Sequence, residues 1–443
     1  MIEQGGASGF QEILAAKIDA HSARAVVVGV GHVGLPLLVE LARAGFPAFG
    51  YEVDAKRIAA IENGTAFAHG TASDDIADLV KAGKIKLDSR SSVLTDADVV
   101  VLCVPTPLTA EGTPDMQAVD AAVDDLIGHA HAGMLVILES TSYPGATREI
   151  AARLSQAGFS IGEEMFIACS PERIDPGNAR FGFRNTPRVV GGVSPSGTRM
   201  AVRLYEQIVD HVTAVSDSNA AEVVKLLENT FRAVNIGLVN ELAVAARKLG
   251  VDIWEVIAAA DTKPFGFMKF SPGPGVGGPC VPVAARTLAW KMSQFGVVPD
   301  FLELATRANE RMPHHVALLL EEALAKRDAP PFGAKVLLVG VAYKPGVGDL
   351  RGSPALALLE LLEAKQFHVS YMDPHVPSLT QGNRCLVSLP LDASFAEFDA
   401  VVVVTPHAEI DMGRVVAESH FVLDTRNATA PYLASATATV LRL

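Results

Sequence analysis

The chain reads as an α/β protein with two doubly wound parallel sheets joined by a central helical domain. Three observations carry that reading. Short β-branched runs alternate with helical stretches, a long unpunctuated helical segment then interrupts the alternation, and a second alternating block follows it. Strands that alternate with helices pair in parallel, because each crossover helix returns the chain to the same end of the sheet. A length of 443 residues suggests about three domains.

Residues 1–23 form an N-terminal extension that looks helical and lacks the apolar h-region of a signal peptide. Arg24–Gly29 is a strand ending in glycine; a glycine-rich turn, the helix Leu35–Ala44 and the strand Pro47–Val53 follow. Further strands are expected at Asp98–Val104, Met134–Glu139, Met165–Cys169 and Arg188–Val190. The domain that they build spans 24–216. From Asp217 to about Gly250 one long helix opens a central domain, 217–325. It carries the Gly/Pro-rich stretch KFSPGPGVGGPCVP at 269–282. The last domain, 326–443, begins with VLLVGVAYKPG and continues through helix Pro354–Ala364 and strand His368–Asp373. VVVGVGHVGLP resembles VLLVGVAYKPG, and DADVVVLCVPTP resembles FDAVVVVTPHA. Any two parallel-sheet cores look alike, but the shared order of elements favours two Rossmann-like folds.

Composition narrows the function. The chain is 49% hydrophobic and carries 37 Lys+Arg against 50 Asp+Glu, a net charge of −13 without a basic block. Nucleic acid and an anionic membrane face are therefore poor partners. Apolar runs such as Val99–Val104 are far shorter than the ~20 residues a membrane span needs. The four cysteines, 103, 169, 280 and 385, have neither zinc nor disulfide spacing, and the twelve histidines show no ligand spacing. The expectation is a cytoplasmic protein with no metal.

Three places could carry chemistry. Gly29-x-Gly31-x-x-Gly34, with His32 and Val33 inside it, lies between a strand and a helix, as a dinucleotide site requires. Glu52, 23 residues after Gly29, ends the next strand, where a carboxylate accepts from a ribose 2′-hydroxyl. This points to NAD. Lys56 and Arg57 leave NADP open, or are solvated helix charges. Second, Glu222, Lys225, Asn229 and Arg232 share one helix face, either as a solvated stripe or as a Lys and an Asn aimed into a cleft. Third, Cys280 stands in a loop that lets a backbone approach a ligand, so it is either a nucleophile or a small buried hydrophobe. Cys103, Cys169 and Cys385 read as buried hydrophobes. In the last domain Lys344 and Arg351 flank a helix start with Ser353 as N-cap and Pro354 at N1, which could hold a phosphate or be ordinary surface charges.

Taken together, VGVGHVGLP, CVPTPLT, ESTSYPGAT, SPERIDPGNA, KLLENTFRAVNIGLVNELA, PGPGVGGPCVP, GVAYKPGVGDLRGSPA, YMDP and DTRN resemble the UDP-glucose/GDP-mannose dehydrogenase family, from about Arg24 to Asn427. SPERIDPGN…NTPRVVGG with TKPFGFM…PGPGVGG is most similar to its UDP-N-acetylhexosamine (UDP-GlcNAc/UDP-ManNAc) 6-dehydrogenase branch. The resemblance implies oxidation of a sugar carbon-6 alcohol to a carboxylate with two NAD per turnover. It implies Cys280 as the nucleophile of a thiohemiacetal and then a thioester, Lys225 and Asn229 for the proton and the oxyanion, and Thr141 and Glu172 for the hydrolytic water. It also implies cofactor contacts from Gly29, Gly31, His32, Val33, Gly34, Glu52, Arg57, Thr106 and Arg351. Substrate contacts would come from Arg173, Phe270, Gly275, Gly277 and Lys344. The resemblance also implies a homodimer or higher homo-oligomer joined through the central domain 217–325. The chain departs from the family at Pro279, at Ala284 where an acid–base aspartate is usual, at Gly352 and at Pro406. Those departures leave open a partial or altered dehydrogenase, or a weakly catalytic nucleotide-sugar-binding protein.

Overall fold

A computed structural model describes residues 9–65, 73–175, 178, 180–327, 332–382 and 384–443. The first eight residues of the expected extension and Pro176, Gly177 and Ala179 of the SPERIDPGNA motif lie outside the described residues. Contacts divide the chain into two units, Met1–Glu228 and Asn229–Leu443, each described by itself.

In the first unit, β1 (Ala25–Val28), β2 (Ala48–Tyr51), β3 (Ile85–Asp88), β4 (Val99–Leu102), β5 (Leu135–Leu138), β6 (Phe166–Cys169), β7 (Arg188–Gly192) and β8 (Val212–Ala214) form one sheet in the order 3-2-1-4-5-6-7-8. β1, β4, β5 and β6 are buried along their whole length because helices cover both faces, which is why they read as unbroken apolar runs. Val27, Val101 and Ile137 pack on one face, and Val26, Val100 and Val136 on the other. Pairing is parallel throughout except between β6 and β7. No crossover helix lies between these two strands among the described residues, so the chain returns antiparallel by a loop. The sequence pattern missed β3 and β8; both are short and largely polar or exposed.

The long helix runs Ser218–Leu249, within two residues of expectation. In the second unit, β9 (Lys335–Val339), β10 (His368–Met372), β13 (Ala400–Val403), β14 (Phe421–Asp424) and β15 (Thr439–Arg442) make a parallel sheet in the order 10-9-13-14-15. Its two faces are packed by Val336, Leu338 and Val402 and by Leu337, Val339 and Val401. β11 (Ser378–Gln381) and β12 (Arg384–Val387) form a separate antiparallel pair. It carries Cys385, which is exposed and not the buried hydrophobe its apolar neighbours suggested.

The duplication extends beyond the apolar runs. Gly29 and Gly340 both take positive φ, +85° and +77°. Gly29 N–H donates to Tyr51 O and Gly340 N–H to Met372 O, each at 2.8 Å. The carboxylate ending the second strand of each block accepts from the N–H after that glycine: Glu52 from Val30 at 3.0 Å, Asp373 from Val341 at 2.7 Å.

Candidate active site

In the first unit the glycine turn has the shape a dinucleotide needs. A Cβ at Gly34 would overlap the Gly29 carbonyl oxygen and come within 3.0 Å of Val27 Cγ1, so only glycine lets the helix Gly34–Ala44 lie this close to β1. A Cβ at Gly31 would meet no protein atom nearer than 3.8 Å, which leaves room for a phosphate. Val33, at the N-cap, gives the helix no side-chain cap, and its first N–H groups suit an anion. His32 is exposed at the same turn. Glu52 is buried and accepts from the N–H groups of Val30 and Asp54 and from Arg57, each at 3.0 Å. An ionised carboxylate has about four lone-pair sites, so it can still take a ribose hydroxyl. Arg57 pairs with Glu52 while its side chain stays exposed to solvent. These residues fit NAD.

Beyond the carboxyl ends of β4 and β5, Thr106 Oγ1 donates to Thr141 O at 2.5 Å. Glu172 is buried; its Oε1 accepts from Ile174 N–H at 2.5 Å and its Oε2 from Arg188 at 3.1 Å. Burial works to raise the Glu172 pKa, but Arg188, the Ile174 N–H and Lys225 outweigh it and hold the carboxyl below its ordinary range. Arg173 donates to Glu228 at 2.6 Å and to Pro187 O at 2.7 Å.

The helix stripe is the reverse of a solvated one. Lys225 and Asn229 are buried, 7% and 6% exposed, whereas Val223, Leu227 and Phe231 are exposed. The Asn229 side-chain N–H₂ is buried without a hydrogen-bond partner among the described residues. Glu222 does not aim into a cleft: it accepts from Gly145 N–H at 2.7 Å and from Thr147 N–H at 2.8 Å, capping the helix Ala146–Gln156. Arg232 is exposed.

The second unit holds Cys280, exposed, at the N-cap of the helix Val281–Gln294. Its loop is pinned from below: Gly273 N–H donates to Asn240 Oδ1 at 2.8 Å, Asn240 to Asn309 at 2.9 Å, and Asn309 to Ala233 O at 3.0 Å. Gly277 and Gly278 pack against Gly352, Pro354 and the Tyr343 ring, and Gly278 N–H donates to Arg351 O at 2.9 Å. Gly275, at φ +131°, lies against Asn309 and Pro354. Gly352 has φ +61°, a conformation that a residue with a Cβ would strain. Arg351 chelates Asp349 and sits within electrostatic reach of Cys280. Lys344 is half-buried in the same strand-to-helix loop, whose helix is capped by Ser353 and starts at Pro354. Phe270 packs edge-on against Phe231 at 5.7 Å. Ala284 is fully buried.

Sequence spacing also missed the meeting of His375, His407 and Glu409. His407 Nε2 donates to Asp373 at 3.0 Å while Nδ1 accepts from Gly346 N–H at 3.2 Å, so both its ring nitrogens are already used. No signal in the sequence ties Arg188 to Glu139 and Glu172 either; only the β5, β6 and β7 pairing does.

A Rossmann-type sheet with this glycine turn and acid, followed by a polar helix face and a cysteine loop, defines an NAD-dependent oxidoreductase. The chain belongs to the UDP-glucose/GDP-mannose dehydrogenase family. The family's NAD binding domain matches residues 23–209, its central domain 219–311 and its UDP binding domain 337–431. The chain is 34% identical to the UDP-N-acetyl-D-mannosamine dehydrogenase of Pyrococcus horikoshii over 87% of this chain and 90% of that protein. It is 31% identical to the UDP-N-acetyl-D-glucosamine 6-dehydrogenase of Pseudomonas aeruginosa over 87% and 91%. The solved Pyrococcus horikoshii enzyme superposes with a TM-score of 0.84 at 31% identity, covering 94% of this chain and 98% of that one. The Staphylococcus aureus UDP-N-acetyl-mannosamine dehydrogenase gives 0.81 at 27% identity, covering 94% and 97%. No helix among the described residues is long and apolar enough to cross a membrane.

Proposed function

We propose that the chain oxidises the carbon-6 alcohol of a UDP-N-acetylhexosamine to the uronic acid through a covalent adduct on Cys280. The observation that carries the reading is the buried Lys225–Asn229 pair, one helical turn apart, with the Asn229 side-chain N–H₂ lacking a hydrogen-bond partner among the described residues. Fixed donors of this kind suit an oxygen that gains negative charge as its proton leaves. The relatives' substrates supply the sugar class.

NAD supplies the hydride acceptor. Lys225 takes the hydroxyl proton and, with Asn229, steadies the oxygen. The Cys280 thiolate adds to the aldehyde carbon while the proton held by Lys225 returns to the oxygen, making a tetrahedral centre with an O–H, the arrangement a second hydride loss requires. Thr141 and Glu172 hold the water that displaces the thiolate. Lys344, Arg173, Phe270, Gly275 and Gly277 are assigned to the UDP-sugar, and Arg351, His32, Val33, Arg57 and Thr106 to the cofactor. The division 24–216, 217–325 and 326–443 follows, with the middle domain as the dimer contact. That contact is supported by the exposed stripe Val223, Leu227, Phe231, Leu238 and Leu242.

The buried Ala284, where the family carries an acid, favours a second reading: a dehydrogenase that stops at the aldehyde, or a binding protein. The test is NADH produced per UDP-sugar consumed across UDP-GlcNAc, UDP-ManNAc and UDP-glucose. Two supports full oxidation, one an early stop, and none a binding protein.

A further inference from the structure

Behind Glu172 lies a second carboxyl to which neither the reaction nor the family resemblance gives a part. Glu139 directly follows β5 and is fully buried. Arg188, on β7 and also fully buried, reaches Glu139 Oε1 at 2.6 Å with one arm and Glu172 Oε2 at 3.1 Å with the other. The Tyr205 hydroxyl donates to Glu139 Oε2 at 3.0 Å, the Cys103 thiol stands 4.0 Å away, and the Phe183 ring lies 4.2 Å from the guanidinium carbon. Glu139 and Arg188 are closed off from solvent, and only the Glu172 side chain reaches it.

Glu139 and Glu172 share one guanidinium, and its approach to Glu139 Oε1 lacks hydrogen-bond alignment, so an ionised Glu139 in this interior is expensive. One proton on it removes that cost. Its place follows from the donors. Glu172 already accepts the Ile174 N–H and one arm of Arg188, and Lys225 faces it. Glu139 lies deeper, beside a thiol and a phenol.

We propose that Glu139 is a positioning residue for Glu172: it carries the proton of the buried Glu139–Arg188–Glu172 cluster and so keeps Glu172 ionised and oriented. The proposal rests on the reading that Glu172 assists hydrolysis of the thioester. In that step water forms the new C–O bond, a water proton passes to Glu172, and the C–S bond breaks to release the Cys280 thiolate. Burial pushes the Glu139 carboxyl up to about 8, with Arg188 opposing and Glu172 adding to the rise. Cys103 and Tyr205, the other titratable groups against it, are pushed up by burial as well. Neither competes for the role of anion near neutral pH.

The experiment has two arms. Infrared titration of the chain without ligands should show a protonated carboxyl C=O band at pH 7 that disappears around pH 8 and is missing from Glu139→Gln. Because Glu222 is also raised, Glu222→Gln should leave that band in place. In the second arm, the kcat–pH profile of the wild type should bend between about pH 7 and 9. Glu139→Gln, which fixes the neutral state, should lose the bend with KM values within about twofold, and Glu139→Asp should keep it. A bend unchanged in Glu139→Gln, or a uniform loss of kcat at every pH, overturns the proposal. If Glu139→Gln does not fold, the wild-type band decides alone, and its loss below pH 6 is a refutation. The infrared arm needs no turnover, so a failure of the proposed activity is separable from a failure of this assignment.

Discussion

Gly34→Ala adds one methyl where the helix Gly34–Ala44 meets β1. The new carbon would overlap the Gly29 carbonyl oxygen, a backbone atom that cannot swing aside, and lie 3.0 Å from Val27 Cγ1. The helix must back off, and eight of its residues are buried, so the strain spreads into the core. Overpacking of this kind costs about 1–3 kcal/mol. For a unit of this size that lowers Tm by about 2–4 °C per kcal/mol. The same retreat moves the helix N-terminus from the pyrophosphate, and each 1.4 kcal/mol lost there weakens NAD about tenfold. Gly31→Ala is the control: its methyl meets no protein atom within 3.8 Å, so Tm should hold while NAD binding falls. Thermal unfolding and NAD titration of both variants make the comparison. An unchanged Tm in Gly34→Ala, or normal NAD binding in Gly31→Ala, would refute the packing argument.

Cys280→Ser should stop uronic acid formation while NAD and UDP-sugar still bind, because a serine alkoxide is far harder to form than a thiolate; product analysis with binding titration checks both. Glu52→Ala removes the 2′-hydroxyl acceptor and frees Arg57, so the preference for NAD over NADP should shrink by about tenfold or more in a cofactor titration. Ala284→Asp should raise kcat by about 10²–10⁴-fold, the usual worth of an acid–base group, at a cost of about 1–3 kcal/mol for the buried carboxyl; a rate unchanged or lower would mean another residue holds the role. Glu139 keeps a proton that the unfolded chain has released, so the stability it contributes is full below about pH 4.5 and is lost as pH rises through about 8. Thermal unfolding from pH 6 to 9 should therefore fall more steeply in wild type than in Glu139→Gln.

Where burial was the only constraint, local pattern was enough. β1, β4, β5, β9 and β13 lie inside the apolar runs that foretold them, since a strand covered on both faces has no room for a polar residue. The glycine turn, the place of Glu52 just after a strand, the Ser353 cap and the long helix were legible for the same reason: each is set by residues near one another in sequence. Tertiary structure decided what depends on distant partners. Periodicity placed Glu222, Lys225, Asn229 and Arg232 on one face, but burial of the polar side and exposure of Val223, Leu227 and Phe231 depend on what packs there. Arg57 became the partner of Glu52, and Glu222 a helix cap, through contacts that no spacing encodes. Arg188 joins Glu139 to Glu172 only because β5, β6 and β7 are neighbours in the sheet, and strand order is a property of the whole fold. Charge states inside that cluster follow from burial and distance, which exist only once the chain has closed around them.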